Sequence, residues 1–199
     1  FQPFVPGVWL MRQLRLPVKL GLLALAIVIP LLVVCVTLVQ RIGDEIQVIE
    51  REIHGAGGIA HLGDLVTLLQ KHRGQTNMLL SGNAQVRAEL DKTRQALPAA
   101  LSAVREAIAG RAELGLGQEW QALESRVQQL AGTATLPAQQ AFEVHSALIA
   151  DLKRLMYTTG ERSSLLFDPD PASYFLMDIV VSRAVPWAER MARLRGQGA

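Results

Sequence analysis

Residues 20–39 read LGLLALAIVIPLLVVCVTLV, and the placement of that run decides the fold. It carries no charge, and Thr37 is its only polar side chain. At about 1.5 Å of rise per residue, a helix of this length spans roughly 30 Å, the thickness of a bilayer's hydrocarbon core. Pro30 would cost a soluble helix about 3 kcal/mol, but lipid offers the backbone no better alternative than a helix. Arg12, Arg15 and Lys19 precede the run, whereas Asp44 and Glu45 follow it. The excess of cations before the run makes residues 1–19 a cytoplasmic tail and 20–40 a transmembrane helix, with 41–199 on the far side of the membrane. A cleaved signal peptide would need a shorter apolar core and a small-x-small exit. The exit here, CVTLVQRIGDE, offers none, and Val34 stands where a lipoprotein signal at Cys35 wants a small residue. The run is an uncleaved anchor.

The helix has no reason to stop at the membrane surface. Ile42, Ile46, Ile49, Ile53, Ala56 and Ala60 recur at alternating spacings of four and three, a heptad seam. The next stripe, Leu62, Leu65, Val66 and Leu69, lies on the opposite side, since Leu62 points away from Ile53. The change of face falls at Gly55, Gly57 and Gly58. Either the helix bends or breaks there, or it runs on, its first half facing a second copy of the chain and its second half facing its own domain. A short strict heptad beside a membrane favours the second reading and a parallel homodimer.

Beyond the anchor the composition is that of long helices: rich in Ala, Leu, Gln, Arg and Glu, poor in aromatics. The net charge is +2 and basic residues alternate with acids, which gives no footprint for nucleic acid. The single Cys35 lies inside the anchor, so no disulfide forms within the chain and packing alone must hold the domain. Ser81–Gly82–Asn83 reads as a helix stop followed by an N-cap. Helices are expected over 84–109, kinked or split at Pro98, over 118–130, and over 138–166, with a break at 132–137. Asp168–Pro169–Asp170–Pro171 forms a stiff turn that caps a last helix, with Tyr174, Met177, Val181, Val185 and Met191 inward and Pro186 as a further kink. No segment alternates with a period of two. The fold class is all-α: an N-terminal transmembrane helix continuing into an elongated antiparallel bundle, four-helix-bundle-like and truncated. The chain opens without Met and ends at GQGA, which reads as a piece of a longer protein.

Nothing in the chain has a catalytic signature, no cofactor motif is present, and no metal site is expected. His54, His61 and His72 share a helical face, but their spacing puts them roughly 10 and 16 Å apart, too far to share an ion. Ser163 and Ser164 lack a base and read as helix-surface residues. The informative stretch is Gln70–Lys71–His72–Arg73–Gly74–Gln75–Thr76–Asn77, where polar and cationic groups interrupt an apolar stripe. An arginine between helices either makes two parallel hydrogen bonds to a small anion or pairs with an acid such as Asp178 or Glu161. The candidate ligand contacts are Gln70, His72, Arg73, Asn77 and Tyr174, the last as either a core residue or a lid. His145 reads as a satisfied packing residue.

Several of these stretches carry a resemblance. LRLPVKL entering the membrane run, LLQKHRG with SGN after it, AFEVHSALI, LLFDPDPASYFLMD and RLRGQG together resemble the N-terminal sensor region of bacterial methyl-accepting chemotaxis proteins. The same pattern fronts histidine kinases and diguanylate cyclases. The His72–Arg73–Gly74 portion also resembles, more loosely, the arginine-bearing first helix of nitrate/nitrite-sensing helical domains. Trp187 departs from the pattern, which has a smaller apolar residue there. The resemblance implies a periplasmic helical sensor on the bacterial inner membrane, which takes an unknown small or anionic ligand and passes helix displacement to a cytoplasmic module. A membrane-tethered helical scaffold without a small ligand is the alternative of another class.

Overall fold

Helix α1 runs Leu16–Leu80 without interruption, through Pro30 and through all three glycines of the phase change. In the computed structural model residues 15–167 and 171–197 are described; the tail up to residue 14 and the capping turn at 168–170 lie outside them. Two compact units divide the chain, Phe1–Gln47 and Val48–Ala199, and α1 contributes to both. In the first unit every apolar side chain from Leu20 to Val39 that belongs to a large hydrophobic residue is exposed. Among the described residues α1 alone is long and apolar enough to cross a membrane, with a mean hydropathy of 3.1 over its most apolar window.

The second unit is an all-helical bundle. The end of α1 is a Schellman stop: Gly82 adopts φ +98°, and the Asn83 N–H donates to the Met78 carbonyl at 3.0 Å. Asn83 then caps the next turn, its Oδ1 accepting from the Gln85 N–H at 3.1 Å. After a 3-10 turn, α2 covers Arg87–Val104 and widens into a π turn at Arg105–Ala109. Pro98 neither kinks it to a break nor splits it; Leu90, Leu101 and Val104 are buried on both sides of the proline and hold the helical path. Helix α3 covers Gly117–Gln128 and passes into 3-10 helix over Gln129–Thr135, so the expected break at 132 is delayed to Leu136–Pro137. Helix α4 covers Ala138–Arg162 and ends before the expected Leu166, because Ser164 turns to φ +70°. Helix α5 is Pro171–Met177, a π segment follows at Asp178–Ala184, and α6 covers Val185–Gln197. Pro186 falls just after that π segment, where the Val185 N–H bonds back to Val180, so the wide turn takes up the kink.

One core joins these helices. Ile59, Leu62, Leu65, Val66 and Leu69 of α1 meet Leu101 and Val104 of α2, Ile108 of the π turn, Trp120, Leu123 and Val127 of α3, and Leu148, Ile149, Leu152, Leu155 and Met156 of α4. Each set recurs at three and four residues, which puts it on one helical face. The glycines act as contact points. A Cβ on Gly55 would collide with Ser163, and one on Gly58 with Ile108. Ser163 is accordingly buried against α1 rather than lying on a helix surface. Of the last helix's expected inward residues, Val181 is buried and Met177 and Val185 are half-buried, but Tyr174 and Met191 are exposed.

Candidate functional site

The polar stretch of α1 reaches the bundle interior at His72, Arg73 and Thr76, all buried. Arg73 is only 2% exposed, a guanidinium placed where an unpaired charge would be strongly unfavourable. Its partners come from α4 and α6. Nη1 donates to Glu189 Oε1 at 2.6 Å and to Ser146 Oγ at 2.9 Å, and Nη2 donates to Glu189 Oε2 at 3.2 Å. The Gln70 side-chain amide donates to the same Oε2 at 2.8 Å. Ser146 is free to accept because its own hydroxyl donates to the Phe142 carbonyl at 2.8 Å. The Phe142 ring lies beneath the cation, 4.8 Å from centroid to Cζ. The result is a two-oxygen seat, with paired guanidinium N–H groups and an amide donating to a planar oxyanion edge, and the Ser146 hydroxyl steadying the guanidinium from the side.

Beside it, His72 and His145 stack at 5.0 Å between ring centroids and share a hydrogen bond of 2.8 Å. Geometry assigns the tautomers. The Ala141 carbonyl can only accept, so His145 Nδ1 donates to it at 2.6 Å; neutral His145 Nε2 then accepts from His72 Nδ1. That leaves His72 Nε2 as an acceptor facing Arg94 Nε–H at 3.5 Å. Burial lowers the His72 pKa to about 4, helped by the charges of His145 and Arg94. Burial likewise lowers that of His145, aided by Arg73, although the Ala141 carbonyl opposes the shift. A separate cavity of about 270 Å³ opens on the far partner of this chain, lined by His72, Arg94, Leu97, Pro98, Leu101, Val127, Gln128 and Leu130.

Of the residues singled out in the sequence, Gln70, His72 and Arg73 are brought together. Asn77 lies one turn further along α1, half-buried, its backbone carbonyl accepting the Ser81 N–H of the helix stop. Tyr174 stands exposed on α5 with its ring edge-to-face on Phe175, outside the Arg73 cluster. The acid that pairs with Arg73 is Glu189, rather than Asp178, which pairs with Arg183, or Glu161, which is exposed. Sequence reasoning missed Glu189, Ser146 and the His72–His145 pair. The signals were present: Glu189 continues the stripe of Val181 and Val185 at i+4, and Ser146 follows His145 in the AFEVHSALI stretch. Thr76 is a further member, its buried hydroxyl without a hydrogen-bond partner one turn from Arg73. Among the described residues no group of His, Cys, Asp and Glu could hold a metal ion.

An all-helical bundle that gathers a buried cation and its polar partners between helices belongs to the class of bundles that carry their sites in the core. The model of the family described as nitrate and nitrite sensing matches residues 64–173, more than half of the chain, and the chain belongs to that family. It is thus a sensory input region of the kind found in transmembrane signalling proteins. No curated protein and no solved structure matches the chain.

Proposed function

We propose that this chain is the periplasmic input region of a bacterial transmembrane receptor, that it binds nitrate or nitrite at Arg73, and that its output is chemotactic. The single observation that carries the ligand is the buried Arg73 with its planar set of donors, inside the family-matched segment. Nitrate and nitrite each present the two-oxygen edge that this seat fits. Arg73 and the amide of Gln70 supply donors, Thr76 has a hydroxyl to spare, and His72 positions the helix face beside them. A planar monoanion needs no second cation here, because one guanidinium balances one charge. The apolar run of α1 supports a membrane anchor, and the cations before it support a cytoplasmic N-terminus with residues 41–199 in the periplasm. A histidine kinase would use the same input; the resemblance of LRLPVKL and RLRGQG to chemoreceptor sequences favours the methyl-accepting class. The exposed isoleucines of α1 support a homodimer.

Titration calorimetry of the 199-residue chain in detergent tests the ligand. Nitrate and nitrite should bind, Arg73→Gln should weaken binding about a hundredfold by removing a charged hydrogen-bond pair, and exposed Arg154→Ala should leave it unchanged. Binding that survives Arg73→Gln would refute this assignment.

A further inference from the structure

Glu189 already occupies the place that the proposed ligand would take. Its carboxylate offers Arg73 the same planar pair of oxygens that nitrate or nitrite offers, and both of those oxygens are engaged. It lies outside the family-matched residues 64–173, whereas Arg73, Gln70, Phe142 and Ser146 lie inside them. The helix that carries it meets the apolar core at its start, through half-buried Val185. Among the described side chains of α6 Glu189 is the only buried one, at 7% exposure, while Trp187, Met191 and Leu194 at i, i+4 and i+7 are exposed. Beyond its half-buried start at Val185 and Pro186, the one fully buried side chain described in α6 is thus an acid held in an ion pair rather than part of an apolar stripe. The π segment at Asp178–Ala184, a wide turn of the kind found at functional sites, sits directly before it and sets the face that α6 presents.

Resting on the reading of Arg73 as the anion site, we infer that Glu189 is a tethered competitor for that site, and that a planar monoanion binds by displacing it and freeing helix α6. The exchange keeps Arg73 paired throughout, since one carboxylate leaves as one anion arrives. Glu189 passes to water at the bundle surface, where an ionised acid is well solvated. A protein whose seat is blocked by its own acid binds more weakly, by the fraction of time the seat is open. Selectivity follows from shape: a tetrahedral dianion such as sulfate does not reproduce the flat edge that Glu189 leaves.

Glu189→Gln keeps the side chain's size but gives up its charge. Nitrate should bind this variant at least about tenfold more tightly than the wild-type chain. Hydrogen exchange on the unmutated protein gives a second reading: saturating nitrate should speed exchange of the α6 amides and leave those of 148–156 in α4 unchanged. Equal nitrate affinity in the wild type and Glu189→Gln, with α6 exchange unmoved, overturns the competitor while leaving nitrate binding at Arg73 intact. No nitrate binding by either protein overturns the Arg73 assignment itself, and the competitor with it.

Discussion

His72 and His145 form a proton-ordered chain in which each neutral ring donates through Nδ1 and accepts through Nε2. A proton added to His72 Nε2 would meet the Arg94 guanidinium, and one added to His145 Nε2 would meet the His72 N–H. The surroundings oppose both, so the folded His72 titrates near 4 instead of 6.5. Between those values the unfolded chain binds more protons than the folded one, so stability rises with pH there and is complete above about 6.5. Acidification through that window should remove on the order of 3 kcal/mol through His72 alone, at about 1.4 kcal/mol per pH unit. Urea midpoints of the chain in detergent at pH 7.5 and 4.5 measure the loss, and His72→Asn should flatten the dependence by about one proton. An unchanged slope in that variant would show His72 to be ordinary. The half of the site on α1 was legible because Gln70, His72 and Arg73 interrupt an apolar stripe within one turn. The rest went unread because the stripe that places Glu189 and the neighbour that places Ser146 do not say that either meets Arg73. Only the packing of α4 and α6 against α1 brings them to the cation.

At the scale of the element, α1 shows what a helix can hide in its glycines. Gly57 and Gly58 are neighbours in sequence, yet a Cβ on Gly57 meets nothing within 4 Å and one on Gly58 overlaps the branched side chain of Ile108. Gly57→Ala should therefore stabilise by about 0.5–1 kcal/mol through helix propensity. Gly58→Ala gains the same propensity but drives a stiff β-branched neighbour out of place, and should destabilise by about 1–3 kcal/mol net. Thermal unfolding of the two variants decides it, and equal gains would mean that α1 is not pressed onto the bundle at Gly58. The periodicities of α1, α3 and α4 were readable because each buries one continuous stripe. Pro98 does not split α2, whose buried apolar residues lie on both sides of it, and at Pro186 the irregularity takes the form of the π turn before it. Intrinsic propensity sets a local preference, and packing overrode it at Pro98.

On the scale of the whole molecule, the stretch of α1 that follows its apolar run leaves Ile42, Ile46, Ile49 and Ile53 uncovered, 48–64% exposed. They keep the four-three-four spacing of a heptad seam, and an apolar stripe of that kind marks an interface. A parallel pair of chains would close it, each isoleucine packing against its counterpart in the second copy. Single cysteines at Ile46 and Ile49, in a Cys35→Ser background, should then form disulfide-linked dimers under mild oxidation in native membranes. Asp44 is exposed on the opposite side of the helix, about 160° away from Ile46 at 100° per residue. Asp44→Cys should cross-link far less, because its sulfur would point away from the partner. Equal cross-linking at all three positions would indicate random collision in the membrane, and none at Ile46 or Ile49 would refute the seam. Nitrate adds a second reading to the same experiment. If the anion acts through helix displacement, the rates at Ile46 and Ile49 should change in opposite or unequal measure when nitrate is added, and Arg73→Gln should abolish that change while preserving the dimer.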